Sequence, residues 1–280
     1  MLGTGSRHER DEGARYNSDL IRLAVNADDF GYTRDVNDGI IEAHRHGILT
    51  STTLMANGGA FDHAVGLARD TPTLDVGCHL TLIEGDALTG GRLPSGFVEL
   101  LQALASNKLK PYEEFAAQIR KIKAMGMNPT HLDTHKHTHL LPPVLEAVAK
   151  VAREFGIKWV RRPFDFEPSG RPGPTRMLAA LLMRTQWGRF ETTLAGCRIT
   201  DRFMGFALTG QIGPADLEQT LRRVPEGFTE FMCHPGYCRD ELRASHTRLR
   251  ESRERELEAL LSPAVRRVVE ERGIILTGFS

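Results

Sequence analysis

From Ile21 onward the chain alternates between short apolar runs and longer segments carrying one apolar stripe. "IRLAVNADDFG" has the pattern of a buried strand and ends in two carboxylates and a glycine. "DVNDGIIEAHRHGI" puts Val36, Ile40, Ile41 and Ala43 on one helical face and stops at Gly47. "LTSTTLMAN" predicts a second strand and "FDHAVGLARDTP" a second helix. "LDVGCHLTL" predicts a third strand, followed by the amphipathic helix "YEEFAAQIRKIKAMGMNP" and the strand "THLDTH". "PPVLEAVAKVAREFGI" reads as a helix with proline in its first turn, where a missing N–H costs little. "KWVRRPF" and "FTEFMCHPGY" are later strands, "ESRERELEALLSPAVRRVVEERG" is helical, and "IILTGF" is a closing strand.

Strands that alternate with helices imply a largely parallel sheet in an α/β protein. At least seven such units in 280 residues favour a distorted (β/α) TIM-like barrel over an open sheet. Residues 20–280 are therefore expected to form one barrel. Residues 1–19, polar and of mixed charge, are expected to be a mobile tail. The rhythm breaks between about 167 and 216, where "EPSGRPGPT" precedes apolar "MLAALLM" and "WGRFETTLAGCRITDRFMGF". That stretch predicts a cap inserted over the barrel mouth, with an ordinary peripheral subdomain as the alternative.

Lys+Arg and Asp+Glu balance at 36 each, which gives no electrostatic reason to expect nucleic acid or an anionic membrane as partner. Four cysteines without a C-x-x-C pair make no disulfide framework and suit a reducing compartment. No apolar run approaches the ~18 residues that span a bilayer, and the N-terminus lacks the apolar core of a signal peptide. A cytoplasmic location follows as the expectation, at most peripheral to a membrane.

The chemistry-bearing residues gather where strands end. Asp28 and Asp29 close the first strand, and a turn at Gly31 would let both carboxylates reach one cavity. Taken alone, such a pair is more often a turn or a helix cap. His79 stands near the end of "VGCHL", with Cys78 directed to the opposite face. In "HLDTHKHTHLLPP" the odd positions carry His131, Asp133, His135, His137 and His139. On a strand His131, Asp133 and His135 face the barrel interior, Leu132 and Thr134 face the helices, and Asp133 can orient a histidine from behind. His137 and His139 fall in the following loop, nearer the rim, where a solvated His-rich turn would equally explain them. Arg161 in "RRP" and His234 in "CHPGY" also end strands. Six polar groups at strand C-termini of one predicted barrel point to a mononuclear metal hydrolase site.

"NADDFG", "VGCHLTL", "HLDTHKHTH", "RRP" and "MCHPGY", in that order, resemble the YdjC-like carbohydrate deacetylases, which include chitooligosaccharide and hopanoid-associated deacetylases. The resemblance spans roughly Ile21 to Phe279. It departs at Cys78, where relatives more often have Leu or Ile, and at Thr134, where Ser is common. It implies a distorted (β/α) barrel and one divalent metal ion, Zn²⁺ or Mg²⁺, with Mn²⁺ or Co²⁺ also suited to a His₂Asp set. Matched position by position, Asp29, His79 and His135 would be metal ligands, Asp28 the general base and His234 the general acid. Arg161 would hold the base carboxylate. The implied substrate is an N-acetylated sugar or glycolipid, and a homodimer is common in the family.

Within that resemblance, the apolar residues Met177, Leu178, Leu181, Leu182, Met183, Trp187, Phe203, Met204 and Phe206 suggest a lipid-carried N-acetylglucosamine, such as an N-acetylglucosaminyl hopanoid. The alternatives are a chitooligosaccharide such as diacetylchitobiose, an amidohydrolase-type barrel, and a metal-dependent carbohydrate-binding protein without catalysis. The amidohydrolase pattern places H-x-H after the first strand, whereas here it lies near mid-chain.

Overall fold

The computed structural model describes residues 20–164 and 186–280. Eight strands form one parallel sheet: β1 (Ile21–Phe30), β2 (Ser51–Leu54), β3 (Asp75–Leu80), β4 (His131–Thr134), β5 (Trp159–Val160), β6 (Arg202–Met204), β7 (Gly227–Cys233) and β8 (Ile275–Leu276). Their order is β5-β4-β3-β2-β1-β7-β6, with β8 pairing the first half of β1. The sheet curls into a partly closed barrel. An isolated parallel bridge joins Trp159 of β5 to Arg198, four residues before β6 begins. The expected distorted α/β barrel is what the chain forms.

Helices α1 (Arg34–His46), α2 (Phe61–Arg69), α3 (Phe97–Ala105), α4 (Pro111–Ala124) and α5 (Pro142–Phe155) follow the first strands. Thr33 caps α1 through its hydroxyl, and Gly156 ends α5 in the left-handed conformation that glycine adopts freely. The apolar faces expected in α1 and α4 are buried, including Ile40, Ile119 and Ile122, and α5 buries Val148 in the same way. They cover the outer side of the sheet, where Leu23, Val25, Ala27 and Leu132 are fully buried. Each such aliphatic side chain contributes about 1.5–3 kcal/mol relative to exposure.

The long helical segment near the C-terminus splits at Ser262–Pro263 into Glu251–Leu261 and Pro263–Glu271. Within the segment expected to form a cap, residues 167–185 lie outside the described residues. In the remainder, Arg202–Met204 adds a strand to the sheet.

The inner face of the barrel changes character from bottom to top. Ala24, Phe228 and Phe279 form a small apolar cluster with Trp159 packed against it, and His131 stacks on Phe279 at 4.0 Å. Gly77 leaves room for that imidazole, since a Cβ there would lie 2.7 Å from the His131 ring. Two residues further along the same strands come Asn26, Glu230 and Asp133, all buried. Above them stand Asp28, His79, Met232 and His234, at the carboxyl ends. The two-residue period of strands thus carries the interior from an apolar plug to a polar site.

Candidate active site

Asp28 and Asp29 reach the same cavity because β1 bulges. Its register with β2 runs Ala27–Thr52 and then Phe30–Leu54, one residue more on β1 than on β2. The irregular residue is Asp29 itself, at φ 70°. That left-handed conformation costs a non-glycine residue on the order of 1–3 kcal/mol and is concentrated at functional sites. The turn expected at Gly31 therefore begins two residues earlier.

Asp29 Oδ1 lies 3.4 Å from His79 Nε2 and 3.2 Å from His135 Nδ1. The two imidazole nitrogens are 3.2 Å apart. Tetrahedral ligands about 2.1 Å from an ion stand about 3.4 Å from one another, so this triangle has the size a divalent metal requires. Asp29 Oδ1 is buried and accepts no hydrogen bond among the described residues, which marks the place where a positive charge is wanted. One carboxylate and two imidazoles suit Zn²⁺ and admit other divalent ions.

Carboxylates back both imidazoles. His79 Nδ1 donates to Asp133 Oδ1 at 2.7 Å, which turns Nε2 toward Asp29. Strand register produces that contact, because His79 and Asp133 are direct neighbours on β3 and β4. Thr53 Oγ1 donates to the other Asp133 oxygen at 3.0 Å. His135, the first residue after β4, has Nε2 3.6 Å from Glu84 Oε2, while Lys136 Nζ holds Glu84 Oε1 at 2.6 Å. Burial would lower the His79 pKa, but Asp133, Asp29 and Asp28 override it and raise it to about 10. The same balance raises His135 through Asp29 and Glu84.

Asp28 is held next to this triangle by Arg161. Arg161 donates Nη1 to Oδ2 at 2.7 Å and Nη2 to Oδ1 at 2.6 Å, the two-point geometry that guanidinium and carboxylate share. Arg161 also meets Asp133 and Glu230, each at 2.7 Å, and its side chain is fully buried. Burial would raise the Asp28 pKa; Arg161, with His79 and His234, reverses this and keeps the carboxyl well below the usual range. Arg161 thus favours the anionic form of Asp28. A second support runs beneath it: His131 Nε2 donates to Asn26 Oδ1 at 2.9 Å, and Asn26 Nδ2 donates to Asp28 Oδ1 at 3.2 Å.

His234 arrives by register too. β7 pairs with β1 up to Cys233 beside Ala27, and the next residue sets its Nε2 3.9 Å from Asp28 Oδ2. Its backbone N–H donates to Glu256 Oε2 at 2.5 Å, and its Nδ1 lies 4.0 Å from the same oxygen.

The remaining histidines of the repeat differ from the expectation of a rim loop. They enter a 3₁₀ turn, His135–Leu140, and both are buried. His139 is structural: Thr134 Oγ1 donates to its Nδ1 at 2.5 Å, and its Nε2 donates to the Arg161 carbonyl at 3.2 Å. His137, at φ 51°, packs against Phe203 and Phe206 and lines the cleft. Left-handed backbone at Lys136 and His137 folds the loop inward, a twist that strand parity does not anticipate.

All six expected residues therefore meet in one place, and five of them, Asp28, Asp29, His79, His135 and His234, line a cleft of about 570 Å³. Arg161 lies behind it, fully buried. Sequence reasoning missed Asn26, Glu84, Glu230, Arg253 and Glu256. Glu230 had a signal: it shares the parity of His234 on β7. Arg253 and Glu256 had one also, since they fall on the buried stripe with Leu257 and Leu260 of their helix. Glu84 had none beyond its place in the loop after β3.

A parallel α/β barrel with a carboxylate–imidazole cluster at the carboxyl ends of its strands is, as a class, a barrel whose active-site end could hold a divalent metal. The comparison with known sequences narrows this. Residues 22–271 match the family model of the YdjC-like proteins, and the chain belongs to that family. It is 33% identical over 274 residues to a carbohydrate deacetylase of Brevibacillus brevis, covering 93% of this chain and 99% of that one. A solved structure from Enterococcus faecalis V583, described as a "putative cellobiose-phosphate cleavage protein", superposes with TM-score 0.73 at 26% identity, over 93% of this chain and 98% of that chain. An uncharacterised Agrobacterium tumefaciens protein, at 13% identity and TM-score 0.50 over 95% of this chain and 89% of its own, shares the fold.

Proposed function

We propose that this protein is a metal-dependent carbohydrate N-deacetylase that removes the acetyl group from an N-acetylglucosamine unit. The observation that carries the reading is the meeting of two adjacent sets of groups in one cleft. In one, Asp29, His79 and His135 form a metal-sized triangle. In the other, Asp28 is clamped by Arg161 and faces His234. The activity named for the Brevibacillus relative supports the same reading.

Asp29, His79 and His135 would hold the ion. When bound, a divalent metal supplies polarisation of the amide carbonyl and a lowered pKa for water. Asp28, kept anionic and aimed by Arg161, accepts the proton of the attacking water. His234 on the far side of Asp28 donates a proton to the departing amine. Asp133 and Glu84 fix the imidazole orientations, so the donor atoms need not reorganise during reaction. A carbohydrate-binding role alone would need the triangle but not the clamped Asp28 and the facing imidazole.

The cleft wall also carries Phe97, Leu140, Phe206, Met232 and Leu249, and Phe97 remains 45% exposed. These side chains favour a lipid-carried sugar, of which an N-acetylglucosaminyl hopanoid is the example, over a soluble chitooligosaccharide. Of the apolar residues expected in the cap, Met177, Leu178, Leu181, Leu182 and Met183 lie outside the described residues. Phe206 faces the cleft, while Trp187 packs on Phe164 and Phe190. No helix among the described residues is long and apolar enough to cross a membrane.

The test is acetate release from a panel of N-acetylated sugars and glycolipids, with Asp28→Asn as control. No release from any member rejects the deacetylase reading. Diacetylchitobiose turned over as well as, or better than, the glycolipids rejects the lipid-carried substrate and leaves the general activity standing.

A further inference from the structure

The helix Glu251–Leu261 reads as a surface segment, with four charged residues in "ESRER". Two of its charged side chains point inward instead. Arg253 is 2% exposed and Glu256 1% exposed. Glu256 accepts from the backbone N–H of His234 and of Gly210. Arg253 reaches the other half of the site: its Nη2 donates to Asp29 Oδ2 at 2.5 Å. Its Nε donates to the Leu249 carbonyl at 3.2 Å, and its own carbonyl accepts from Gly236 N–H at 3.3 Å.

This contact divides the two oxygens of Asp29. Oδ2 is occupied by a cation, while Oδ1 is left to the two imidazoles without a hydrogen bond. A carboxylate free at both oxygens can bind a metal through one or both. Burying an arginine is costly, and an ion pair of this kind repays the desolvation only when its geometry is close. Here the arginine is 224 residues from its partner in sequence and anchored at three points. Its planar fork makes the anchoring directional in a way lysine cannot copy.

We infer that Arg253 is a positioning residue that holds Asp29 as a one-oxygen ligand, presenting Oδ1 alone to the metal. The inference rests on the reading of Asp29, His79 and His135 as metal ligands. The Arg253 guanidinium also ties the metal side of the cleft to the loop at Leu249, while its backbone carbonyl holds the loop after His234.

The experiment measures Zn²⁺ affinity of the full-length, metal-stripped protein by competition with a chromophoric chelator, for wild type, Arg253→Met, Arg253→Lys and Asp29→Ala. The visible spectra of the Co²⁺-loaded forms are recorded in parallel. Loss of a group that orients a ligand costs about 10–100-fold in metal affinity. Arg253→Met is expected to bind Zn²⁺ that much more weakly with an altered Co²⁺ spectrum, and Arg253→Lys to recover part of both. Unchanged affinity and spectrum in Arg253→Met overturn the inference alone. Wild-type protein that binds no stoichiometric Zn²⁺, or Asp29→Ala that binds it normally, overturns the ligand reading beneath it. The unmutated protein gives an answer even where a variant does not fold. A structure of its Zn²⁺ form with one Asp29 oxygen on the ion supports the assignment, and one with both oxygens on the ion rejects it.

Discussion

Replacing Glu230 by glutamine should stabilise the protein at neutral pH and do nothing of the kind in acid. Glu230 lies 1% exposed in its side chain and takes one hydrogen bond, from Arg161 Nε at 2.7 Å. Its second oxygen has no partner among the described residues. Arg161 gives its other nitrogens to Asp28 and Asp133, so three carboxylates share one guanidinium. Burial pushes the Glu230 pKa up, Arg161 offsets this only in part, and Asp133 and Asp28 push further, from 4.5 to about 7. The unfolded chain gives up this proton near 4.5 while the folded protein keeps it until about 7. Between those values the native state binds more protons, so this group's contribution to stability falls as pH rises through the window. At about 1.4 kcal/mol per pH unit, the loss amounts to roughly 3 kcal/mol.

Glutamine cannot ionise, and its amide oxygen accepts from Arg161 Nε as the carboxylate did. The difference in unfolding free energy between Glu230→Gln and wild type should therefore be small near pH 4.5 and favour the variant by roughly 3 kcal/mol at pH 8. Urea titrations at half-unit pH steps, with a chelator present, measure it. A difference that stays flat across the window, or that favours wild type as pH rises, would refute the argument.

Other expectations concern the site and its supports. Asp28→Asn should fold and keep bound metal, yet lose on the order of 10²–10⁴ in kcat; near-normal turnover removes Asp28 as the base. His79→Ala should lose most of its metal by elemental analysis, and unchanged content means that the ligands lie elsewhere. Gly39→Ala places a Cβ 2.5 Å from the Gly236 Cα, against the loop that follows His234. Overpacking of this kind costs about 1–3 kcal/mol, so the variant should show both a lower Tm and a lower kcat. An unshifted Tm would show that the two backbones can part without cost.

Much of this molecule was legible in one dimension. Strand and helix repeats are local properties, and they predicted the parallel barrel, the buried faces of α1 and α4, and the strand ends where Asp28, Asp29, His79, His135, Arg161 and His234 gather. Parity along β4 placed Asp133 behind a histidine before any contact was known, because alternate residues of a strand must share a face. The three-dimensional arrangement decided the rest. Only register between β3 and β4 tells that Asp133 serves His79, and only the bulge at Asp29 turns adjacent carboxylates into one cavity.

Left-handed backbone at Lys136 and His137 buried a loop that composition alone would leave in solvent. Glu84 and Arg253 act across 51 and 224 positions of sequence. Arg253 shares a stripe with Leu257 and Leu260 that marks it as inward-facing, but nothing in its run of arginines and glutamates names its partner. Local periodicity says which way a side chain points, but the partner that makes a buried charge tolerable is chosen by distances between segments, and those exist only in the folded chain.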